Sequence, residues 1–327
     1  MKLRIVIIAA LGAALAAYLV AFVGLGAVFS AALALGGGGF AILCLCGLAL
    51  FPITGTAWYV LVPDPHHRSW WVFVAARMVR DAATDVLPFA QLGGIVIGAR
   101  AAILNGVAPA VAFASTAVDV TTEMLAQIVF VAMGLAILSA SGPRIPFVAS
   151  LSTALIIGLG VTAAACGLFL VLQRHSVWIT GKLAARLLRG AGAASAAVAS
   201  SFDDIHRSPV RIGLSAALHL AGWIASAIGT WIAFRLIGTH VGLLPVVAIE
   251  SLVCAARSAA VLVPNALGVQ EAAYAVVAPL FGVGAEVGLA LSLLKRARDI
   301  ALGVPILLIW HAAEGRQALA TKTAGYN

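Results

Sequence analysis

The sequence predicts an all-α polytopic membrane protein, an inverted-topology repeat with two re-entrant helical hairpins and about six full spans. Three observations predict it. Of 327 residues, 63% are hydrophobic and 10% charged, and the mean hydropathy is +1.09; long apolar runs recur along the chain, as no soluble domain allows. Two of those runs are broken by proline and glycine, at Leu87-Pro88 with Gly93-Gly94 and at Val263-Pro264 with Gly268, and both carry charges. Lysine and arginine between the runs fall almost wholly on one side.

The elements follow in order. Met1-Lys-Leu-Arg4 precedes an apolar run over 5–24. That run is too long for a cleaved signal and reads as a first span. Glycines 24, 26 and 36–39 mark a break, and residues 37–62 form the next span. The turn Pro63–Arg68 follows, and Trp70 and Trp71 sit where an interfacial belt places them. His66 and His67 are adjacent, which suits a solvated loop better than a metal site. The stretch 71–100, WVFVAARMVRDAATDVLPFAQLGGIVIGAR, carries Arg77, Arg80, Asp81, Asp85 and Arg100. Each such charge costs roughly 3 kcal/mol in hydrocarbon unless it is paired or faces water. Arg77, Asp81 and Asp85 recur every four residues and share one helical face.

Pro88 stops that helix, since proline lacks the N–H and restricts Leu87 before it. The arms 71–86 and 89–106 are short for a bilayer of about 30 Å and fit a re-entrant hairpin; two short spans are the alternative. Residues 108–139 form a long helix with Asp119 and Glu123 one turn apart. After the turn Ser141–Arg144, residues 146–172 are an uncharged span, and 173–209 is a basic cytoplasmic linker whose 176–189 section has amphipathic spacing. Residues 210–237 form a span carrying His219, more simply a satisfied core imidazole than a proton relay. The second broken region, 243–282, holds Glu250, Arg257, Pro264, Asn265, Gly268 and Glu271. The last span, 284–312, has Lys295, Arg296, Arg298 and Asp299 at its centre.

With both termini cytoplasmic, the inner side receives residues 1–4, 63–70, 173–211 and the tail, which hold eleven Lys and Arg, against Arg144 and Arg235 outside. In that orientation the unit 37–139 recurs upside down at 210–312. The whole chain, 1–327, is then one membrane domain of the alternating-access kind. The net charge of +8 is scattered between apolar runs, which argues against nucleic acid. Cys44, Cys46, Cys166 and Cys254 lie inside apolar runs and read as small buried hydrophobes.

Five arginines, at 77, 80, 257, 296 and 298, point to an anionic headgroup, because a guanidinium fork matches phosphate or carboxylate oxygens. Asp81, Asp85, Asp119, Glu123, Glu250, Glu271 and Asp299 are their candidate partners. For any one pair, simple helix glue is an equal reading; for the whole set it is weaker, because serine, threonine and asparagine glue helices at lower cost. No catalytic constellation, cofactor motif or metal-ligand set is evident. Asp81 and Asp85 have metal-pair spacing, but Arg77 and Arg80 compete for them.

Arg80, Leu87-Pro88, Gly93-Gly94 and Arg100 early, with Val263-Pro264-Asn265, Gly268, Glu271 and Arg296-x-Arg298-Asp299 late, resemble the transmembrane flippase region of the lysylphosphatidylglycerol synthase family. The wording RDAATDVLPFAQLGG is similar to its subgroup encoded with hopanoid biosynthesis. The resemblance covers about 40–312. It implies translocation of a lipid across the bacterial inner membrane, through paired re-entrant helices; that the chain is not an enzyme is expected from the want of a catalytic constellation. It places Arg77, Arg80, Pro88, Gly93, Gly94 and Arg100 in a first motif, and Pro264, Gly268, Glu271, Arg296 and Asp299 in a second. The large aminoacyl-transferase domain of full-length synthases is absent from this sequence, so "synthase" does not transfer. The expected substrate is a hopanoid or an anionic isoprenoid or phospholipid. The expected partners are the bilayer, hopanoid or other lipid-biosynthesis enzymes, and a second copy packed through small residues. The alternatives are a membrane enzyme acting on a lipid and a scaffold for lipid biosynthesis.

Overall fold

The computed structural model describes residues 35–63, 69–87, 90–140, 191–260 and 264–324, with single positions 33 and 160. Among them every regular element is helical. In chain order these are α1 (Gly36–Tyr59), α2 (Trp70–Val86), α3 (Ala90–Leu104), α4 (Pro109–Ala140), α5 (Ala191–His206), α6 (Pro209–Leu236), α7 (Leu243–Ala259), α8 (Val269–Val277) and α9 (Ala285–Ala324), with 3-10 turns at Pro264–Ala266 and Ala278–Phe281. Helices α1, α4 and α6 are long and apolar enough to cross a membrane. Helix α9 has 40 residues but carries five charges in its first half. Helices α2 and α3, with 17 and 15 residues, reach only about 25 and 22 Å at ~1.5 Å per residue. The expected spans 5–24 and 146–172 and the amphipathic stretch 176–189 lie outside the described residues. The described part of the linker is α5, whose Phe202 and Ile205 pack on Leu61, Ala114 and Val118.

Both breaks have local causes. Leu87 is extended, at φ −91° and ψ 133°, as a residue before proline must be, and the helix resumes at Ala90. In the second break Asn265 and Ala266 hold φ of 47° and 46°, left-handed values that L residues with a Cβ adopt at a cost. Gly268, at φ 78°, then turns the chain into α8.

The helices pack closely through small residues. A Cβ on Gly94 of α3 would lie 2.2 Å from Thr84 Oγ1 of α2. One on Gly134 of α4 would overlap the Ser251 hydroxyl of α7, and one on Gly303 of α9 would lie 2.5 Å from Val86 of α2. One apolar core joins Val131, Phe234, Ile249, Tyr274 and Leu291; a second joins Trp58, Phe73, Val79 and Ala102. Helix α2 lies on α3 and α9, α7 on α8 and α4, and α1 on α6. Exchanging α1–α4 for α6–α9 leaves these neighbour relations unchanged.

Candidate functional site

The charges gather in two buried clusters. In the first, Arg77 and Arg80 leave α2 on one face and meet α4. Arg77 donates from Nε to Asp81 at 2.8 Å, from Nη1 to Asp119 at 3.1 Å and from Nη2 to Glu123 at 2.5 Å. Arg80 donates to Asp119 at 2.6 Å and to Glu123 at 2.7 Å. Asp119 and Glu123 can receive both forks because they are one turn apart on α4. Gly98 lets α3 approach Arg80: a Cβ there would lie 2.7 Å from that of Arg80. Asp119 is 0% exposed, and its second oxygen lies 2.9 Å from His219 Nε2 of α6. A carboxylate only accepts, so Nε2 carries the hydrogen. Thr122 and Ser215 add a hydroxyl bond between the same two helices.

The second cluster ties α7 and α8 to α9. Lys295 Nζ donates to Glu250 at 2.5 Å, to Tyr274 Oη at 2.8 Å and to Thr230 Oγ1 at 3.3 Å; Tyr274 Oη donates in turn to Glu250. Arg296 grips Glu271 and reaches the carbonyls of Asn265 and Ala266 at 3.4 Å. Glu271 also accepts the Gly268 N–H at 2.8 Å, so one carboxylate caps α8 and anchors the arginine that holds the left-handed turn. Arg298 pairs with its neighbour Asp299 at 2.7 Å and lies against α1 where Gly47 leaves room. The networks are well satisfied: among the described residues, Trp310 Nε1 is the buried side-chain polar atom without a partner.

The two broken regions touch. Asn265 Nδ2 donates to the backbone carbonyl of Asp85 at 2.6 Å, joining positions 180 residues apart. The carboxylate of Asp85 and the guanidinium of Arg257 make no hydrogen bond or ion pair among the described residues, although each lies within electrostatic reach of the other. The placement of Arg100 differs from expectation. It is 58% exposed and pairs with Glu314, away from both clusters, because Arg100 lies two residues past Gly98, the position that faces Arg80, and so leaves α3 on roughly the opposite side. Gly93 is half-buried beside the α2–α3 contact made by Gly94. Pro88 is outside the described residues. Among the described residues the buried arginine and lysine pairs form within each half, not between halves, and His219 with Asp119 is the buried contact of titratable groups that crosses.

A family model, lysylphosphatidylglycerol synthase TM region, matches residues 3–306. The chain belongs to that family. No curated protein and no solved structure matches it. Membership makes this lysylphosphatidylglycerol synthase TM-region protein a membrane protein of lipid metabolism or transport. Within it, the same 176 residues separate Pro88 from Pro264, Pro109 at the start of α4 from Ala285 at the start of α9, Asp119 from Lys295, and Glu123 from Asp299. Thus Lys295, left out of the residues expected to form the site, occupies the α9 position that Asp119 occupies in α4, a signal present in the spacing. His219 and Tyr274 carried no comparable signal. Among the described residues no group of three or more His, Cys, Asp or Glu side chains is arranged to hold a metal ion.

Proposed function

We propose that this family member is a flippase-like transporter of the bacterial inner membrane. It moves a lipid with an anionic headgroup, an isoprenoid lipid, a phospholipid or a derivatised hopanoid, and makes and breaks no covalent bond. The observation that carries the reading is the contact of two broken helices inside an apolar protein, Asn265 on Asp85, beside charges left without partners. Broken helices place backbone and charge at membrane depth where a substrate passes. The constant 176-residue spacing and the exchangeable packing of the halves support an inverted repeat, units 37–139 and 210–312, with α2–α3 and α7–α8 as re-entrant hairpins. Both termini are then cytoplasmic, as the lysine and arginine bias requires.

The test is lipid scrambling in proteoliposomes of the purified protein. Arg257→Ala and Arg298→Ala should each abolish it while both variants still insert and elute as the wild type does. Unchanged scrambling in both variants would refute the transport reading. A membrane enzyme has one observation in its favour, the buried Lys295–Glu250–Tyr274 set. Those groups are spent on one another, and the enzyme reading would require a lipid product from the purified protein alone.

A further inference from the structure

His219 of α6 bonds Asp119 of α4 at 2.9 Å, and among the described residues this is the buried contact of titratable groups that joins the two halves. His219 shares a face of α6 with Ser215, which bonds Thr122 of α4, and with Gly222, which fits against Thr54 of α1. Packing alone does not ask for an imidazole there. The 176-residue spacing that matches Thr54 to Thr230 matches His219 to Leu43, an apolar residue at 1% exposure on α1.

Charge does ask for one. The first cluster sets two guanidiniums, Arg77 and Arg80, against three carboxylates, Asp81, Asp119 and Glu123, so it holds one negative charge in excess. Excess charge in a buried network is costly, and an imidazolium at His219 brings the sum to zero. The other elements packed on α6 do not. Helix α1 carries no Asp, Glu, Lys, Arg or His, and its titratable groups are Cys44, Cys46 and Tyr59. On α7, Glu250 is taken by Lys295, and Arg257 lies about two turns further on. Lys295 of α9 touches α6 at Thr230, about three turns from His219. Asp203, Asp204 and His206 of α5 are exposed. Arg211 and Arg235 of α6 itself bond the Val62 carbonyl and His240. Nε2 of His219 keeps its hydrogen for Asp119 in either protonation state. The proton that comes and goes therefore sits on Nδ1, which makes no hydrogen bond among the described residues.

We infer that His219 binds one proton in each transport cycle, and that proton and lipid are coupled through the joint His219 makes with Asp119. This rests on the transporter reading and adds its driving ion. With the proton bound, the joint is an ion pair across the halves and the cluster is neutral. With the proton gone, the joint is a hydrogen bond to a neutral donor, weaker than the doubly charged one, and the cluster's excess charge favours exposure to water. Joined and parted arrangements of the halves then differ in proton affinity, and that difference is what coupling consists of. The step makes and breaks the Nδ1–H bond alone, with water as proton donor on one side and acceptor on the other.

The experiment reconstitutes the full chain in vesicles with a trace of chain-labelled phosphatidylglycerol and an entrapped pH dye, the membrane potential being held at zero by potassium and valinomycin. A gradient of one pH unit should hold the label about tenfold richer in one leaflet, the limit for one proton per lipid, beyond any redistribution in protein-free vesicles. His219→Gln keeps an N–H for Asp119 and does not titrate. It should still even out the label, but ignore the gradient and move no protons. Asp119→Asn removes the excess charge that His219 answers and should lose the gradient response too. A wild type that evens out the label whatever the gradient would overturn the coupling and leave transport standing. Either variant, folded, that still concentrates the label would put the proton elsewhere and overturn it as well. Movement of no label by a folded wild type would remove the transporter reading, and this inference with it.

Discussion

Arg80→Met tests whether the first cluster holds the hairpin to α4. The guanidinium makes two buried ion pairs, at 2.6 Å to Asp119 and 2.7 Å to Glu123. Methionine fills a comparable straight-chain volume without the charge. Asp81, Asp119 and Glu123 would then share Arg77 alone, so one buried and two partly buried carboxylates would face one cation. Removing one member of a buried pair costs about 3–5 kcal/mol, mainly through the charge left behind. Glu123 and Asp119 both keep a bond to Arg77, which places the expected loss near the lower end, about 3 kcal/mol. Equilibrium unfolding in mixed micelles, by titration with a denaturing detergent, measures it. Adding Asp119→Asn to Arg80→Met removes the excess negative charge and should recover about half of the loss, since coupled sites are not additive. Arg100→Ala is the control: its pair with Glu314 is exposed at the arginine and should cost no more than about 1 kcal/mol. An Arg80→Met variant no less stable than that control, or a double variant whose losses simply add, would refute the buried-network account.

Three further outcomes follow from the geometry, each checked by the same unfolding measurement. Gly94→Ala should destabilise by about 1–3 kcal/mol, because the added Cβ would meet Thr84 Oγ1 and the Arg80 carbonyl at 2.2 and 2.9 Å. Gly213→Ala, in α6 with nothing within 4 Å of the new Cβ, should instead stabilise by up to about 1 kcal/mol through helix propensity. Ala266→Gly should stabilise the left-handed turn by about 1 kcal/mol, and destabilisation would show that the Ala266 methyl, 2% exposed with its residue, contributes more packing than its backbone costs.

Local order was legible because its causes are local. The arms expected over 71–86 and 89–106 are α2 and α3, and the long helix expected over 108–139 is α4, each within two residues. Pro88 and Pro264 reveal where helices must stop, since a missing N–H needs no tertiary partner to act. The mutual spacing of Arg77, Asp81, Asp119 and Glu123 showed that they share helical faces, but not that both guanidiniums converge on the same two carboxylates. The exposure of Arg100 and the insertion of His219 against Asp119 were equally invisible, because each depends on how helices are rotated and crossed. Hydropathy and proline placement thus determined by themselves that this chain is helical, membrane-bound and twice broken. How the helices of each half pack on one another alone decided which charges neutralise each other, Arg77 and Arg80 on Asp119 and Glu123, Lys295 on Glu250 and Arg296 on Glu271. The physical reason is that backbone limits act within a few residues, whereas ion pairing acts through space between segments as much as 214 residues apart.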